Sequence, residues 1–168
     1  MMMGWLGVIW ATLGICGMLA YAIVRLTPKA WIAIESGLSV WQWTVTVAFV
    51  IFMAYTEGYQ GFQQKFSPRT AARVRFLKDS PTFMRVILAP LFAMGYFEAT
   101  RRTKALAYGV SIGVTILVIF IQFLEQPWRG IVDIGVIVGL SWGLLSLVYF
   151  IAAAVTRDHF HTSPEVPE

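Results

Sequence analysis

Charge is scarce in this sequence: Asp, Glu, Lys and Arg supply 13% of the 168 residues, well below the roughly 25% usual in a water-soluble domain. Four stretches contain none at all, residues 5–24, 36–56, 105–124 and 134–156. Each is long enough to cross a hydrocarbon layer of about 30 Å as a helix. With 58% of the chain hydrophobic, the composition excludes a water-soluble globular domain. None of the four stretches alternates with period two, which excludes a membrane β-barrel. The expected class is an all-α integral membrane protein with four transmembrane helices arranged as two hairpins.

Cysteine occurs once, as Cys16 inside the first apolar stretch. That leaves no disulfide framework and no thiolate metal site, and its plain role is a small packing residue. The two histidines, His159 and His161, lie close to the C-terminus. A haem held by two histidines at membrane depth is therefore excluded, and no cofactor is expected. The pair reads either as two weak metal ligands or as part of a solvated end. No nucleophile stands with a base or a metal set at one depth, so no catalytic residue is assigned and an enzyme is not the expected class. No basic residue precedes the first stretch and no A-x-A-like site closes a short apolar core, so the sequence predicts a retained span and not a cleaved signal.

What the chain does carry is a one-sided distribution of its 13 bases. Lys and Arg collect in cytoplasmic loops. With both termini inside, four spans place Lys65, Arg69, Arg73, Arg75, Lys78, Arg85, Arg101, Arg102, Lys104 and Arg157 on the cytoplasmic side, and leave Arg25, Lys29 and Arg129 outside. Had residues 86–97 also crossed, the asymmetry would all but vanish. Twelve residues rise only about 18 Å as a helix, well short of the hydrocarbon thickness. The segment is accordingly expected to be re-entrant or interfacial, bending at Pro90 and Gly95. The predicted layout is one membrane domain over residues 1–156, with a cytoplasmic loop at 57–104 and a mobile tail at 157–168, in a plasma membrane of the bacterial inner type.

The external loop at residues 25–31 holds Pro28 and Trp31 and reads as a tight hairpin connection. Beyond it, Glu35, Ser39, Gln42, Thr46, Met53, Glu57, Gln60 and Gln64 fall near one stripe at helical spacing. A second stripe joins Phe52, Tyr55, Tyr59, Phe62 and Phe66. An acid at the carboxyl end of a terminating helix meets an unfavourable dipole. Glu57 therefore predicts that the second helix continues, overshooting the bilayer by about two turns. Ser67-Pro68 is expected to cap the next helix, and Ser80-Pro81 to repeat the device.

Each polar candidate has two readings. Glu35 and Asp133 form either a proton or cation site at the external mouth, or acids favoured by the dipole in the first turns of their spans. Gln42, with Ser39 and Thr46, is either interhelical glue or the wall of a polar path. Lys65, Arg69, Arg73, Arg75, Lys78 and Arg85 either bind anionic headgroups or merely orient the loop. Tyr59 and Phe62 either anchor a partner or pack on residues 86–97. Glu57, Gln60 and Gln64 are left open. No base-reading element accompanies the charge, so nucleic acid is not an expected partner.

Small residues recur at spacings of three and four. Gly4, Gly7, Ala11 and Gly14 share one face of the first span; Ala105, Gly109 and Gly113 line the third, and Gly135, Gly139 and Gly143 the fourth. The last two ridges are expected to pack on each other, leaving Gly7 and Gly14 free for another chain. The expected function is association: an accessory, assembly or scaffold subunit presenting its basic loop to a membrane-protein partner, a second copy or anionic lipid headgroups. The alternative is a small oligomeric transporter or channel.

Overall fold

The computed structural model describes residues 2–157, 160 and 162–166, which are almost entirely helical and contain no strand. Three helices are long and apolar enough to cross a membrane: α1 (Met2–Glu35), α6 (Arg101–Gln122) and α7 (Trp128–Thr156). Between α1 and α6 lie α2 (Val40–Met53), a π-helical segment (Ala54–Phe66), α3 (Ser67–Asp79), α4 (Phe83–Ile87) and α5 (Ala89–Met94).

The hairpin expected at residues 25–31 does not form, and α1 runs unbroken through Pro28. An internal proline costs a helix about 3 kcal/mol, and packing of the final turns opposes that cost. Ala30 and Ala33 are buried, and a Cβ added to Gly130 would collide with the Ala33 methyl. The chain turns later, at residues 36–39, where Gly37 takes the left-handed conformation (φ 77°) that closes helices. Ser39 then caps α2 in a box with Gln42: Ser39 N donates to Gln42 Oε1 at 2.8 Å, and Gln42 N donates to Ser39 Oγ at 3.4 Å.

From Val40 to Asp79 the helix does not stop. Ser67 keeps helical dihedrals (φ −64°, ψ −45°) and its hydroxyl pairs with Ser146 Oγ at 2.9 Å, so it is not the expected cap. Nor does Ser80 cap α4, whose N-cap is Thr82 in extended conformation. The helix thus continues past Glu57 for far more than two turns, through a segment wound i→i+5, a rare pattern that usually lasts a single turn.

This rod runs parallel to α7. Phe49 lies over Gly135, Phe62 over Gly143, Ser67 beside Ser146, and Lys78 Nζ donates to Val155 O at 3.2 Å. The α1 helix runs antiparallel to both, Ala33 meeting Gly130 at one end and Gly4 meeting the Lys78 backbone at the other. Buried α1 residues Gly4, Gly7, Val8, Ala11, Ile15 and Leu19 form the single seam that such packing requires. The main apolar cluster joins Val8, Ala11 and Ile15 to Ala71, Val74 and Leu77 of α3, Phe92 of α5, and Leu147 and Ile151 of α7. It therefore sits toward the end of the bundle that holds both the α1 start and the α7 finish.

The glycine ridges exchange roles relative to the expectation. Gly135, Gly139 and Gly143 face the second rod, and not α6. Gly7 and Gly14 are covered by Leu77 and Pro90. Of the three ridges, it is that of Gly109 and Gly113 that has nothing within 4 Å of the place a Cβ would take, on an α6 helix whose apolar window has no buried residue.

Candidate functional site

Residues 86–97 break at Leu88, and α5 starts with Pro90 near its N-terminus and ends at Gly95, whose φ of 90° disfavours any side chain. The segment lies on α1: Pro90 touches Gly14, and Trp10 Nε1 donates to Ile87 O at 3.0 Å. Its two ends meet. Arg85 Nε and Glu98 Oε2 are 2.5 Å apart, and Arg85 Nη1 also donates to Ser80 O at 3.0 Å.

Beneath this turn lies Arg73, with a relative exposure of 0%. A charge taken out of water needs every donor satisfied. Here Nε donates to Phe92 O at 2.6 Å, Nη1 to Pro164 O at 2.9 Å, and Nη2 to Phe97 O at 2.9 Å and Glu98 O at 3.0 Å. The guanidinium also sits 4.2 Å from the Phe92 ring centroid. Burial first, then Arg69, lowers its pKa to about 10, so it stays charged at neutral pH. One side chain thus ties α3, the α5 turn and the C-terminal segment together through their carbonyl groups.

The C-terminal segment completes the node. Thr100, the N-cap of α6, donates its N–H to Glu165 O at 3.1 Å, and Thr103 Oγ1 donates to the Glu165 carboxylate. Val166 packs at the edge of the core cluster. Residues 162–166 are therefore docked where a mobile tail is expected, while His159 and His161 lie outside the described residues. Among the described residues, the two non-glycine positions with positive φ are Glu98 (45°) and Glu165 (49°). Both belong to this node, and such backbone strain persists where surrounding structure over-determines it.

The other bases divide. Arg75 Nη1 donates to Arg157 O at 2.7 Å, and Lys78 to Val155 O while lying 4.8 Å from the Trp5 ring centroid. Both thus neutralise the carboxyl end of α7, where cations are favoured. With Arg73 and Arg85 engaged internally, Lys65 is exposed and Arg69 half-buried.

The π segment forms a second contact with α7. Trp142 lies over Gly58, where an added Cβ would come within 2.9 Å of its ring, and Trp142 Nε1 donates to Gln63 Oε1 at 2.8 Å. Phe62 and Phe66 meet edge to face at 5.4 Å and pack inward, whereas Tyr55 and Tyr59 stack at 6.0 Å outside. The single aromatic stripe splits because i→i+5 winding turns each residue through a smaller angle than the α-helix assumed for it. Phe62 packs on Gly143 and not on residues 86–97. Glu57 and Gln64 are exposed and Gln60 half-buried.

Two further candidates change setting. Glu35 ends α1, where it accepts from Trp31 Nε1 at 2.6 Å, so it does not stand in the first turn of a span. Gln42 is engaged in the cap of α2. Asp133, 2% exposed, leaves Oδ2 without a partner, as does Arg129 at Nε one turn earlier. No group of three His, Cys, Asp or Glu capable of holding a metal occurs among the described residues. Compared with family models, curated proteins and solved structures, the chain shows no match.

Glu98 is spaced in the sequence to pair with Arg101 and Arg102 on a surface helix, yet it lies outside α6 and pairs with Arg85; Thr100, Thr103 and Glu165 were not picked out by sequence reasoning. Thr100, shortly before the apolar run, carries an N-cap signal; nothing local to Glu165 announces its partner.

Proposed function

We propose that the protein is a non-enzymatic, four-span membrane subunit that works by association, with α6 as its docking helix. The spans are α1, α2 with the start of the π segment, α6 and α7. The segment between α3 and α6 stays at the cytoplasmic face. In support, a crossing segment would separate its ends by about 30 Å, whereas Arg85 and Glu98 are in contact. The exposed Phe83, Met84, Ile87 and Leu91 suit an element lying in the headgroup boundary.

The observation that carries the reading is the contrast among the glycine ridges. Gly4, Gly7, Gly14, Gly135, Gly139 and Gly143 are all filled from within the chain, while Gly109 and Gly113 are open along a helix that the rest of the chain hardly covers. In lipid, helices associate through close backbone approach at such positions. Lys65, Arg101 and Arg102 are exposed and available to anionic headgroups or an acidic partner.

Cross-linking from Gly113→Cys in a Cys16→Ser background, in native membranes, is expected to capture one recurrent neighbour, a second copy or a defined protein. Monomer alone would sink the reading. External labelling of Arg102→Cys would overturn the topology.

The unpaired buried carboxylate of Asp133 favours a second reading, a small oligomeric transporter. Glu35 and Gln42 are spent locally and do not join it in a path. Reconstituted vesicles in which Asp133→Asn leaves ion flux unchanged would eliminate this option.

A further inference from the structure

The π segment carries charge at a depth where lipid offers none. Along α7, residues 134–156 contain no charged side chain and rise about 34 Å, hardly more than the hydrocarbon thickness. Glu57 Cβ lies 3.2 Å from the place a Cβ would take on Gly139, Gln63 accepts from Trp142, and Ser67 pairs with Ser146. These contacts set residues 57–67 beside residues 139–146 of α7, about 8 to 18 Å from the Ile134 end of that run. Within this stretch Glu57, Gln64 and Lys65 are exposed, and none of the three has a side-chain hydrogen bond or ion pair among the described residues. Polar groups at membrane depth face protein or water, so one chain alone leaves this surface incomplete.

The chemistry of this surface identifies its occupant. A π turn takes more than four residues, so Glu57, Gly61 and Lys65, spaced by four, form one ridge, with the acid and the base drifting to either side of the glycine. The ridge faces away from α7. Trp142 lies over Gly58, whereas a Cβ on Gly61 would meet only Thr56 O at 3.3 Å and Glu57 Oε2 at 3.6 Å, both from the same segment. We propose that this ridge is a homodimer interface, on which a second copy of the chain lays the same ridge in parallel, so that Glu57 of each pairs with Lys65 of the other. Copies inserted in one sense meet in parallel, and a two-fold axis then makes both ion pairs at once, as e and g residues do across a parallel coiled coil. Gly61 at the centre lets the backbones approach. The opposing charges come from this segment, because the charge-free stretches of α1, α6 and α7 have none to offer. At that depth Lys65 takes the acidic partner and not a headgroup. The interface rests on α7 as a span; it does not rest on α6 as the docking helix.

The test is disulfide cross-linking of the purified full chain in phosphatidylcholine vesicles, with Cys16→Ser and Gly61→Cys as the parent. The parent is expected to cross-link. Glu57→Lys or Lys65→Glu, added singly, sets like charges against each other and should cut the yield about tenfold. An equimolar mixture of the two single variants should recover it, because each then carries the charge the other needs, and recovery also shows that both are folded. The double variant should recover it as well. Cross-linking from Gly113→Cys in native membranes tests α6 separately, so either interface can fail alone. A parent that stays monomeric, single variants that cross-link as well as the parent, or a mixture no better than its components would overturn the proposal. So would rapid modification of Gly61→Cys by a membrane-impermeant thiol reagent, the mark of a water-lined cavity in place of a second copy.

Discussion

Replacing Gly143 by alanine should destabilise the bundle, whereas the same change at Gly109 should stabilise it. A Cβ on Gly143 would lie 2.5 Å from Phe62 Cγ and 2.7 Å from both Cδ atoms. Ordinary carbon contacts begin near 3.5 Å, so the ring must retreat by about 1 Å. It cannot swing freely, because Phe66 meets it edge to face at 5.4 Å and both rings pack against the core cluster. Overpacking of this kind costs about 1–3 kcal/mol. Exchange of glycine for alanine inside a helix returns about 1 kcal/mol. The net expectation is a loss of about 1 kcal/mol at Gly143. At Gly109, where nothing lies within 4 Å, the gain of about 1 kcal/mol should survive whole. Thermal unfolding followed by circular dichroism, in detergent dilute enough to keep the chain monomeric, separates the two by about 4–8 °C for a chain of this size. If Gly143→Ala is as stable as Gly109→Ala, the parallel packing of the second rod on α7 is wrong. In membranes the order should reverse in one respect: Gly109→Ala should reduce cross-linking from α6 while Gly143→Ala leaves it intact.

Arg73→Lys should cost about 3 kcal/mol or more, because an ammonium cannot span carbonyls that the planar guanidinium reaches together; chemical unfolding in detergent measures it. Since burial lowers Arg73 from the ordinary arginine value to about 10, the unfolded chain binds more protons above pH 10, and this group's contribution to stability should rise with pH from there toward the unfolded value and stay flat through neutrality. Gly95→Ala should lose about 2 kcal/mol or more, combining a left-handed φ of 90° with a methyl 2.9 Å from Thr103 Cγ2; the same unfolding assay reads it, and Gly95→Asn should be less damaging on backbone grounds. Ser39→Ala should cost about 1 kcal/mol by removing the α2 cap. Gln42→Ala should cost a similar amount, and vesicles carrying either variant should show the same solute permeability as the parent if Gln42 is a capping residue and not part of a conduit.

The division of the glycines shows where local information ends. That Gly7, Gly14, Gly135, Gly139 and Gly143 mark close approach was legible, because removing a Cβ is a local fact. Which helix fills each gap was not, because lipid and protein are equally apolar neighbours and composition cannot tell an occupied ridge from an open one. The bases behave likewise. Their crowding between Lys65 and Arg85 was plain, yet Arg75 and Lys78 close the carboxyl end of α7 and Arg73 gathers carbonyls from residues 92, 97, 98 and 164. Those acceptors come from backbone, which carries no sequence signature.

By itself the sequence determined the all-helical class, the apolar runs long enough to cross a membrane, the continuation of the second helix past Glu57 and the bend at Gly95. Each follows from transfer free energy, dipole sign or an allowed φ, and these act within a few residues. Tertiary structure decided the winding of that helix, the passage of α1 through Pro28, the capture of the C-terminal segment and the isolation of α6. These outcomes depend on packing between residues far apart in the chain, where the energy of a contact exceeds the local preference it overrides.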